Sequence, residues 1–246
     1  MTPQQIQEAE DNIVNEYDGG LQQVENALSP TDKYLVSYPS MRRTSQFYCT
    51  TAQTVGGAFR EHSIIAIACI AYNWINNQIL TYWDTEGNDH ADGLTILHAK
   101  NIATPEQAIQ FVQRFARSPI NTPEAWVGLS KVLHFINPQF FPMWDIQVAK
   151  NFKARPNEYT IEQYENHVRN WMDHQKYICY INWCHGVLDP EKDNHNTIDV
   201  RRARNRRAKI RQAVKKVQNL FVKRVGYGVS RIRTLEFILF VIGRQL

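Results

Sequence analysis

Residues 126–152 read WVGLSKVLHFINPQFFPMWDIQVAKNF, a pattern that predicts two helices joined by a connector. Apolar residues recur at helical spacing up to Ile136, and Pro138 then forbids the helix from continuing. Residues 141–144 are apolar and include a proline, so we expect an extended, buried connector. Asp145 stands directly before the next helical period. It is therefore placed to cap that helix, with its carboxylate at the positive end of the helix dipole.

Two polar side chains interrupt the first of these helices. Residues 128–130, Gly-Leu-Ser, are turn-capable, and a short helix is expected to start after them at Lys131. On an uninterrupted helix, Lys131 and His134 lie opposite the apolar stripe. We therefore expect both side chains to face away from the core. A lone lysine is most often a solvated residue, and a lone histidine is most often either a polar surface residue or a core residue whose hydrogen bonds are satisfied.

Helix starts are also legible outside this stretch. The capping-box pattern, in which a Thr hydroxyl and a Gln side chain satisfy backbone amides, occurs at residues 2–5, 104–107 and 160–163. At residues 122–123, Thr-Pro places proline at a first helical position. No segment shows the alternation and the turns of a sheet, although the loop-rich residues 80–100 leave room for a short hairpin. The predicted fold class is mostly α.

Length and composition predict a packed domain. The chain has 246 residues, of which 43% are hydrophobic, and its 6 Trp, 11 Tyr and 11 Phe exclude a disordered chain. The longest nearly apolar run, residues 64–75, is too short to span a bilayer, and the polar N-terminal segment lacks the pattern of a signal peptide. Four irregularly spaced cysteines do not suggest a disulfide framework. We expect a cytoplasmic protein with no membrane partner.

The C-terminal half suggests how the domain is organised. Residues 189–199 are polar and form the clearest linker or exposed loop, whereas residues 234–246 contain a helix that is apolar nearly all round and must be buried. The basic segment, residues 200–233, is held between two ordered elements of the chain and should therefore form a surface of the fold. We expect one compact helical domain over residues 1–246, in one lobe or two.

Charge is distributed very unevenly. Of the 28 Lys and Arg residues, 13 lie in residues 201–233, which contain no acid, so the remaining 15 stand against all 24 acids. An acidic body carrying one dense basic element favours a polyanionic partner, with nucleic acid first. The alternative is a solvated basic helix without a specific role. The side chains expected to contact backbone phosphates are Arg201, Arg202, Arg204, Arg206, Arg207, Lys209, Arg211, Lys215 and Lys216.

Common cofactor and metal motifs do not occur in the sequence. It contains neither GxxxxGK[ST] nor GxGxxG, the glycine-rich motifs that cradle phosphates. Cys179, Cys184, His185 and His195 match no common zinc spacing, and the cysteines are not clustered as for an iron–sulfur centre. We therefore expect no metal and no cofactor.

The order of turn, lysine, short helix, proline-containing connector, aspartate and helix resembles the helix-hairpin-helix DNA glycosylase superfamily. The matching residues are Gly128, Lys131, Pro142, Asp145 and Val148. A branch of bacterial and phage proteins tied to modified-base DNA is more similar still. Its pattern SK-x-L-x-F-x-x-P-x-x-x-P-x-x-D is met over residues 130–145, and its closing apolar helix ending in Gly-Arg is met at residues 240–244.

The resemblance implies a DNA-glycosylase-like domain in which residues 122–154 form a helix-hairpin-helix-like element with the catalytic aspartate. Asp145 would stabilise the positive charge that develops on the sugar, and Lys131 would attack the sugar or orient a phosphate or water. Gly128 and Ser130 would contact duplex DNA. The target base would be flipped into a pocket formed by aromatic side chains, and the candidates for this pocket are Trp126, His134, Phe140, Phe141 and Trp144.

Three functions stay open from the sequence. The first is a DNA glycosylase that removes a damaged or modified base and leaves an abasic site, in base-excision repair or in antiviral defence. The second is an enzyme that hypermodifies bases in phage or bacterial DNA on the same scaffold. The third is a non-catalytic nucleic-acid-binding protein in which Asp145 only caps a helix. The sequence leaves the target base, lyase activity and oligomeric state undetermined.

Overall fold

The computed structural model describes residues 1–55, 66–67, 70, 96–115, 123–193 and 198–246. Over these ranges the mostly-α class is confirmed, since ten α-helices and no strand occur in them. The helices are α1 Pro3–Asp18, α2 Gln22–Ala27, α3 Lys33–Val55, α4 Pro105–Phe115, α5 Pro123–Ile136, α6 Ile146–Lys150, α7 Ile161–Trp171, α8 His174–Leu188, α9 Ile198–Leu220 and α10 Arg231–Gly243.

Short helical turns complete the described chain. Two are 3-10 turns, Leu97–Asn101 and Pro190–Asp193, and a π turn over Phe221–Val225 follows directly after α9. The hairpin considered for residues 80–100 lies outside the described residues as far as residue 95, as does most of the apolar run 64–75. No helix among the described residues is long and apolar enough to cross a membrane.

The predicted helix starts are confirmed where they can be examined. Thr2 and Thr160 each form a complete capping box with the glutamine three residues later. Thr104 accepts the amide of Gln107 at 3.2 Å, while the Gln107 side chain turns instead to the amide of Ala103 at 2.9 Å. Local side-chain chemistry therefore fixes these helix starts, because each bond joins residues within four positions of each other.

The turn predicted at residues 128–130 is wrong. Helix α5 runs without interruption from Pro123 to Ile136, so Gly128 lies within it and Lys131 does not start a new helix. A single glycine costs an α-helix only about 1 kcal/mol, which tertiary packing of the surrounding apolar residues readily outweighs. The break between α5 and α6 lies instead in the connector, residues 137–145, where the Asn-Pro step and the extended apolar segment predicted one.

Helix α10 occupies the centre of the described fold, which confirms the predicted burial of the C-terminal segment. Every residue from Ile232 to Leu239 is buried, and the helix packs against α1, α2, α6, α8 and α9. Its end approaches the start of α6 so closely that a Cβ at Gly243 would lie 1.8 Å from the carbonyl oxygen of Gln147. The side chain of Asn151 also donates to the carbonyl of Leu239 at 2.8 Å. Helix α10 therefore fixes the position of α6.

Candidate functional site

Asp145 caps helix α6, as predicted. Its Oδ1 accepts the backbone amides of Gln147 at 2.9 Å and Val148 at 3.1 Å. The other carboxylate oxygen accepts no hydrogen bond from the described residues, and the residue is half-buried. One oxygen is thus fixed by the positive end of a helix while the other remains available to a ligand.

The two residues before Asp145 are each held by a buried side chain. Ser130 accepts the amide of Trp144 at 2.8 Å and donates its hydroxyl proton to the carbonyl of Val127, also at 2.8 Å. Glu236 of α10 accepts the amide of Met143 at 3.0 Å. Ser130 and Glu236 together clamp the connector, and we call this pair the connector clamp. The connector clamp sets where Asp145 emerges, because both residues that lead into it are fixed.

Ser130 and Gly128 therefore cannot have the role predicted for them. Ser130 has no exposed surface, and Gly128 is buried inside α5, so neither residue reaches a DNA molecule in this structure. Glu236 was missed by sequence reasoning. The sequence does contain one indication of its role. Glu236 is an acid in a helix of mostly apolar residues, and a charge at a buried position needs a partner.

Lys131 is buried, so the expectation that it faces solvent is wrong. Only 7% of the residue is exposed. Helix α5, which carries it, packs against α3, α7, α8 and the 3-10 turn Leu97–Asn101. Burial lowers the pKa of Lys131 below its ordinary value of 10.5, the Asp145 carboxylate opposes this shift, and the Arg233 guanidinium adds to it. The Asp145 carboxylate therefore acts electrostatically on the buried amine of Lys131.

His134 is also buried, with no exposed surface, and takes part in a hydrogen-bonded network. Its Nδ1 donates to the carbonyl of Phe141 at 2.8 Å, so Nε2 accepts the hydroxyl proton of Tyr38 at 2.7 Å. Burial, with the nearby Arg233 guanidinium, lowers the pKa of His134 well below 6.5. This neutral histidine therefore holds the connector at a third point and does not face a base pocket.

A buried ion pair lies next to this network. Arg233 and Glu236 are bonded to each other on α10, and each retains less than a tenth of its exposed surface. The Arg233 guanidinium also lies 5.0 Å from the ring centroid of Tyr38. The pair is well partnered, as a buried charge has to be, and it links α10 to α3 and to the connector.

The aromatic side chains predicted to form a base pocket instead fill the core. Trp126, Phe141 and Trp144 have no exposed surface, and Trp144 packs against Tyr180 with ring centroids 4.8 Å apart. Only Phe140 is half-exposed, and its ring stacks on His185. The prediction of an open pocket is wrong for the three buried rings and for His134, because neighbouring aromatic residues already occupy the space that a base would need.

Part of the basic helix α9 is paired with the acidic helix α1. Arg206 binds Asp11 at 3.0 Å, and Lys209 binds Asp18 at 2.6 Å. Arg207 lies 3.4 Å from Glu10, a carboxylate that is only 3% exposed and whose pKa is raised by burial. These three bases hold α1 against α9, which sequence reasoning could not foresee because the partners lie about two hundred residues apart.

Two further bases of α9 bind backbone carbonyls. Arg211 donates to Val187 at 3.1 Å, and Lys216 donates to Gly20 at 3.3 Å. By contrast, the remaining predicted phosphate ligands are exposed and make no hydrogen bond or ion pair with the described residues. They are Arg201, Arg202, Arg204 and Lys215, which we call the exposed basic face. The predicted set of nine phosphate ligands therefore narrows to these four.

The described residues contain no group of three or more His, Cys, Asp and Glu side chains placed to hold a metal ion. Cys184 is a buried free thiol beside Tyr180, and Cys179 is a half-buried free thiol. His195, the last member of the zinc pattern considered above, lies outside the described residues.

Comparison with protein-family models, with characterised proteins and with solved structures gives no match to this chain. Function is therefore inferred from the residues around Asp145 and from the exposed basic face.

Proposed function

We propose that the protein is a DNA N-glycosylase that hydrolyses the bond between a modified base and its sugar and leaves an abasic site. The proposal rests on one observation: the half-buried carboxylate of Asp145 lies at the start of α6 and acts electrostatically on the buried amine of Lys131. A site of this kind combines a fixed negative charge with a nitrogen nucleophile in a largely desolvated environment.

Asp145 has the geometry that bond cleavage would use. As the base departs with the bonding electrons, positive charge develops on the sugar in an oxocarbenium-like transition state. Oδ1 is held by two backbone amides and the connector clamp fixes the preceding residues, so the other oxygen can face that charge without first reorganising. The same oxygen can instead accept a proton from the attacking water.

Lys131 supports a second route at the same sugar. Its lowered pKa increases the fraction of neutral amine, the form that attacks carbon. Attack at C1′ forms a carbon–nitrogen bond while the base leaves with the electron pair of the broken bond and takes up a proton. The nitrogen of this adduct loses a proton, the C1′–O4′ bond then breaks with O4′ taking up a proton, and the opened sugar is joined to Lys131 as a Schiff base that would allow strand cleavage. Without that attack, the amine orients water or phosphate and the product is an abasic site.

The exposed basic face supplies phosphate contacts for the proposed duplex substrate. Arg201 and Lys215 are 14 residues apart on α9, about 21 Å along the helix axis, and duplex DNA carries a charge about every 1.7 Å. Four phosphate contacts would give log Kd a slope of about 3.6 against log salt concentration. Such contacts position DNA without reading its sequence, in keeping with specificity that resides in the modified base. A cytoplasmic location, in base-excision repair or antiviral defence, belongs to the same proposal.

The first experiment compares base release and DNA binding in Asp145→Asn and in a matched control. Substrates are unmodified, uracil-containing, oxidised, hydroxymethylated and glucosylated duplexes, and free base and alkali-labile sites are measured. Asparagine still caps a helix, so Asp145→Asn should keep the fold and DNA binding while base release is lost. The control is Asp173→Asn, which changes the N-cap of α8, where the carboxylate accepts the amide of Lys176 at 2.8 Å. It should retain both properties.

Each outcome separates the proposed function from the two alternatives. Release of one modified base, lost only in Asp145→Asn, supports the glycosylase. A change in the mass of a base that stays attached to DNA identifies a modifying enzyme. Salt-sensitive binding without any chemical change, equal in both variants, leaves a nucleic-acid-binding protein. If Arg201→Gln combined with Arg204→Gln leaves binding unchanged, the exposed basic face has no part in it.

A further inference from the structure

A pocket separate from the closed aromatic core opens between α2, the start of α3 and α10. Its volume is about 390 Å³, within the range of about 300–1,000 Å³ typical of small-ligand sites. Apolar side chains, among them Leu35, Met143, Phe237 and Phe240, line its walls. Charged residues line the rest, so the pocket suits a ligand that has both an apolar body and polar groups.

The buried ion pair provides the polar part of the interior. Arg233 and Glu236 both line this pocket, with 6% and 2% of their surface exposed. A guanidinium offers five donors and a carboxylate about four acceptor positions, so the pair presents both kinds of group to a ligand. A purely apolar ligand would pack against this pair without using the hydrogen-bonding capacity that it presents.

Arg244 provides a positive charge at the pocket. It is exposed, and its guanidinium lies 5.9 Å from the ring centroid of Phe240, which also lines the pocket. The Arg244 side chain makes no hydrogen bond or ion pair within the described part of the chain. An arginine above an aromatic ring is well suited to a phosphate that is attached to a flat ring, because the guanidinium binds phosphate through two parallel hydrogen bonds.

We propose that this pocket binds a single nucleotide, with the base against Phe240 and the phosphate on Arg244. The heterocycle would fill the apolar walls, and its donor and acceptor edge would meet Arg233 and Glu236. Inorganic phosphate would leave the walls unfilled, and an aliphatic acid would place methylene groups, which can neither donate nor accept a hydrogen bond, against the ion pair. The nucleotide can be free or part of a DNA strand. The inference goes beyond the glycosylase proposal, since it requires no reaction at Asp145.

The test is calorimetric titration of the full-length protein with dTMP and dAMP. Thymidine, inorganic phosphate, benzoate and a ten-nucleotide single strand are titrated in parallel. We expect saturable nucleotide binding that Arg244→Gln weakens at least tenfold and Phe240→Leu weakens several-fold. Arg169→Gln, which changes an exposed arginine on α7, is the matched control and should bind like the unmodified chain. Both arginines are exposed, so neither change should unfold the protein.

The series of ligands distinguishes a free nucleotide from a nucleotide within DNA, and it includes results that would overturn the proposal. Strong binding of dTMP or dAMP identifies a free nucleotide, whereas Arg244-dependent binding of the strand alone identifies a nucleotide within DNA. The proposal is overturned if no nucleotide or strand binds with a Kd below about 1 mM. It is also overturned if Arg244→Gln binds normally, or if phosphate or benzoate binds as tightly as the nucleotide. Base release plays no part in these titrations, so failure of the glycosylase proposal leaves their result standing.

Discussion

Replacing Ser130 by alanine tests the connector clamp directly. The hydroxyl is completely buried and accepts the amide of Trp144, which has no exposed surface of its own. Alanine fits the same space but leaves this backbone N–H without an acceptor. The carbonyl of Val127 loses only an additional bond, because helix α5 provides its usual partner. The effect should therefore come mainly from one unsatisfied buried amide.

The expected magnitude follows from that single group. A buried donor left without a partner costs about 1–3 kcal/mol, so we expect the free energy of unfolding to fall by about 2 kcal/mol. For a chain of this size, such a loss lowers Tm by about 4–8 °C. Trp144 directly precedes Asp145, so the same substitution should accelerate hydrogen exchange at the Trp144 amide and loosen the α6 cap.

Urea denaturation followed by tryptophan fluorescence measures the stability change. Ser40→Ala is the control, because Ser40 is exposed on the same kind of element, an α-helix, and should change stability by less than about 0.5 kcal/mol. If Ser130→Ala loses no more stability than Ser40→Ala, Ser130 has no part in holding the connector. That result would mean that the Trp144 amide finds another acceptor and that the connector does not depend on Ser130.

Three further predictions concern stability. Gly243→Ala would place a Cβ 1.8 Å from the carbonyl oxygen of Gln147, so the free energy of unfolding measured in urea should fall by about 1–3 kcal/mol. The control Gly186→Ala, inside α8 with no atom within 4 Å of the added Cβ, should stabilise the protein, and equal effects of the two changes would contradict the close approach of α10 to α6. Because the folded pKa of His134 is lowered, the free energy of unfolding should fall as pH drops below about 6.5, by up to about 1.4 kcal/mol per pH unit. His134→Gln should flatten this pH dependence, and an unchanged slope would show that His134 is not its source. The folded pKa of Glu10 is raised above 4.5, so the contribution of Glu10 to stability is greatest below that pH and is lost as pH rises through the folded pKa. Glu10→Gln should remove this loss in thermal melts measured at several pH values, and melts identical to those of the unmodified chain would show that Glu10 ionises normally.

Features set by neighbouring residues were predictable from the sequence. The caps at Thr2, Thr160 and Asp145, the interruption after Ile136 and the burial of the last helix all agree with the structure. Each depends on bonds within about four residues or on the apolar pattern of one helix, and both can be read without knowing what packs nearby. The prediction of a turn before Lys131 was wrong, because the packing of α5 outweighs the weak tendency of Gly128 to interrupt a helix.

The sequence predicted two residues of the candidate site but not their surroundings. Asp145 and Lys131 could be chosen because they stand at suitable places in two successive helices, but the burial of Lys131 depends on other helices packing over it. The connector clamp needed Glu236, whose partner Met143 is 93 residues away along the chain. No local pattern specifies which acid meets which amide across such a distance.

The sequence by itself determined that the described chain folds into helices, where many of those helices begin and end, and that its charge is concentrated in one element. Only the tertiary structure decided which of those charges face solvent. Arg206 and Arg204 look alike in the sequence, yet Arg206 binds Asp11 on α1 and Arg204 is exposed. The physical reason is that helix formation draws on interactions between near neighbours, whereas burial and charge pairing depend on which distant segments pack together.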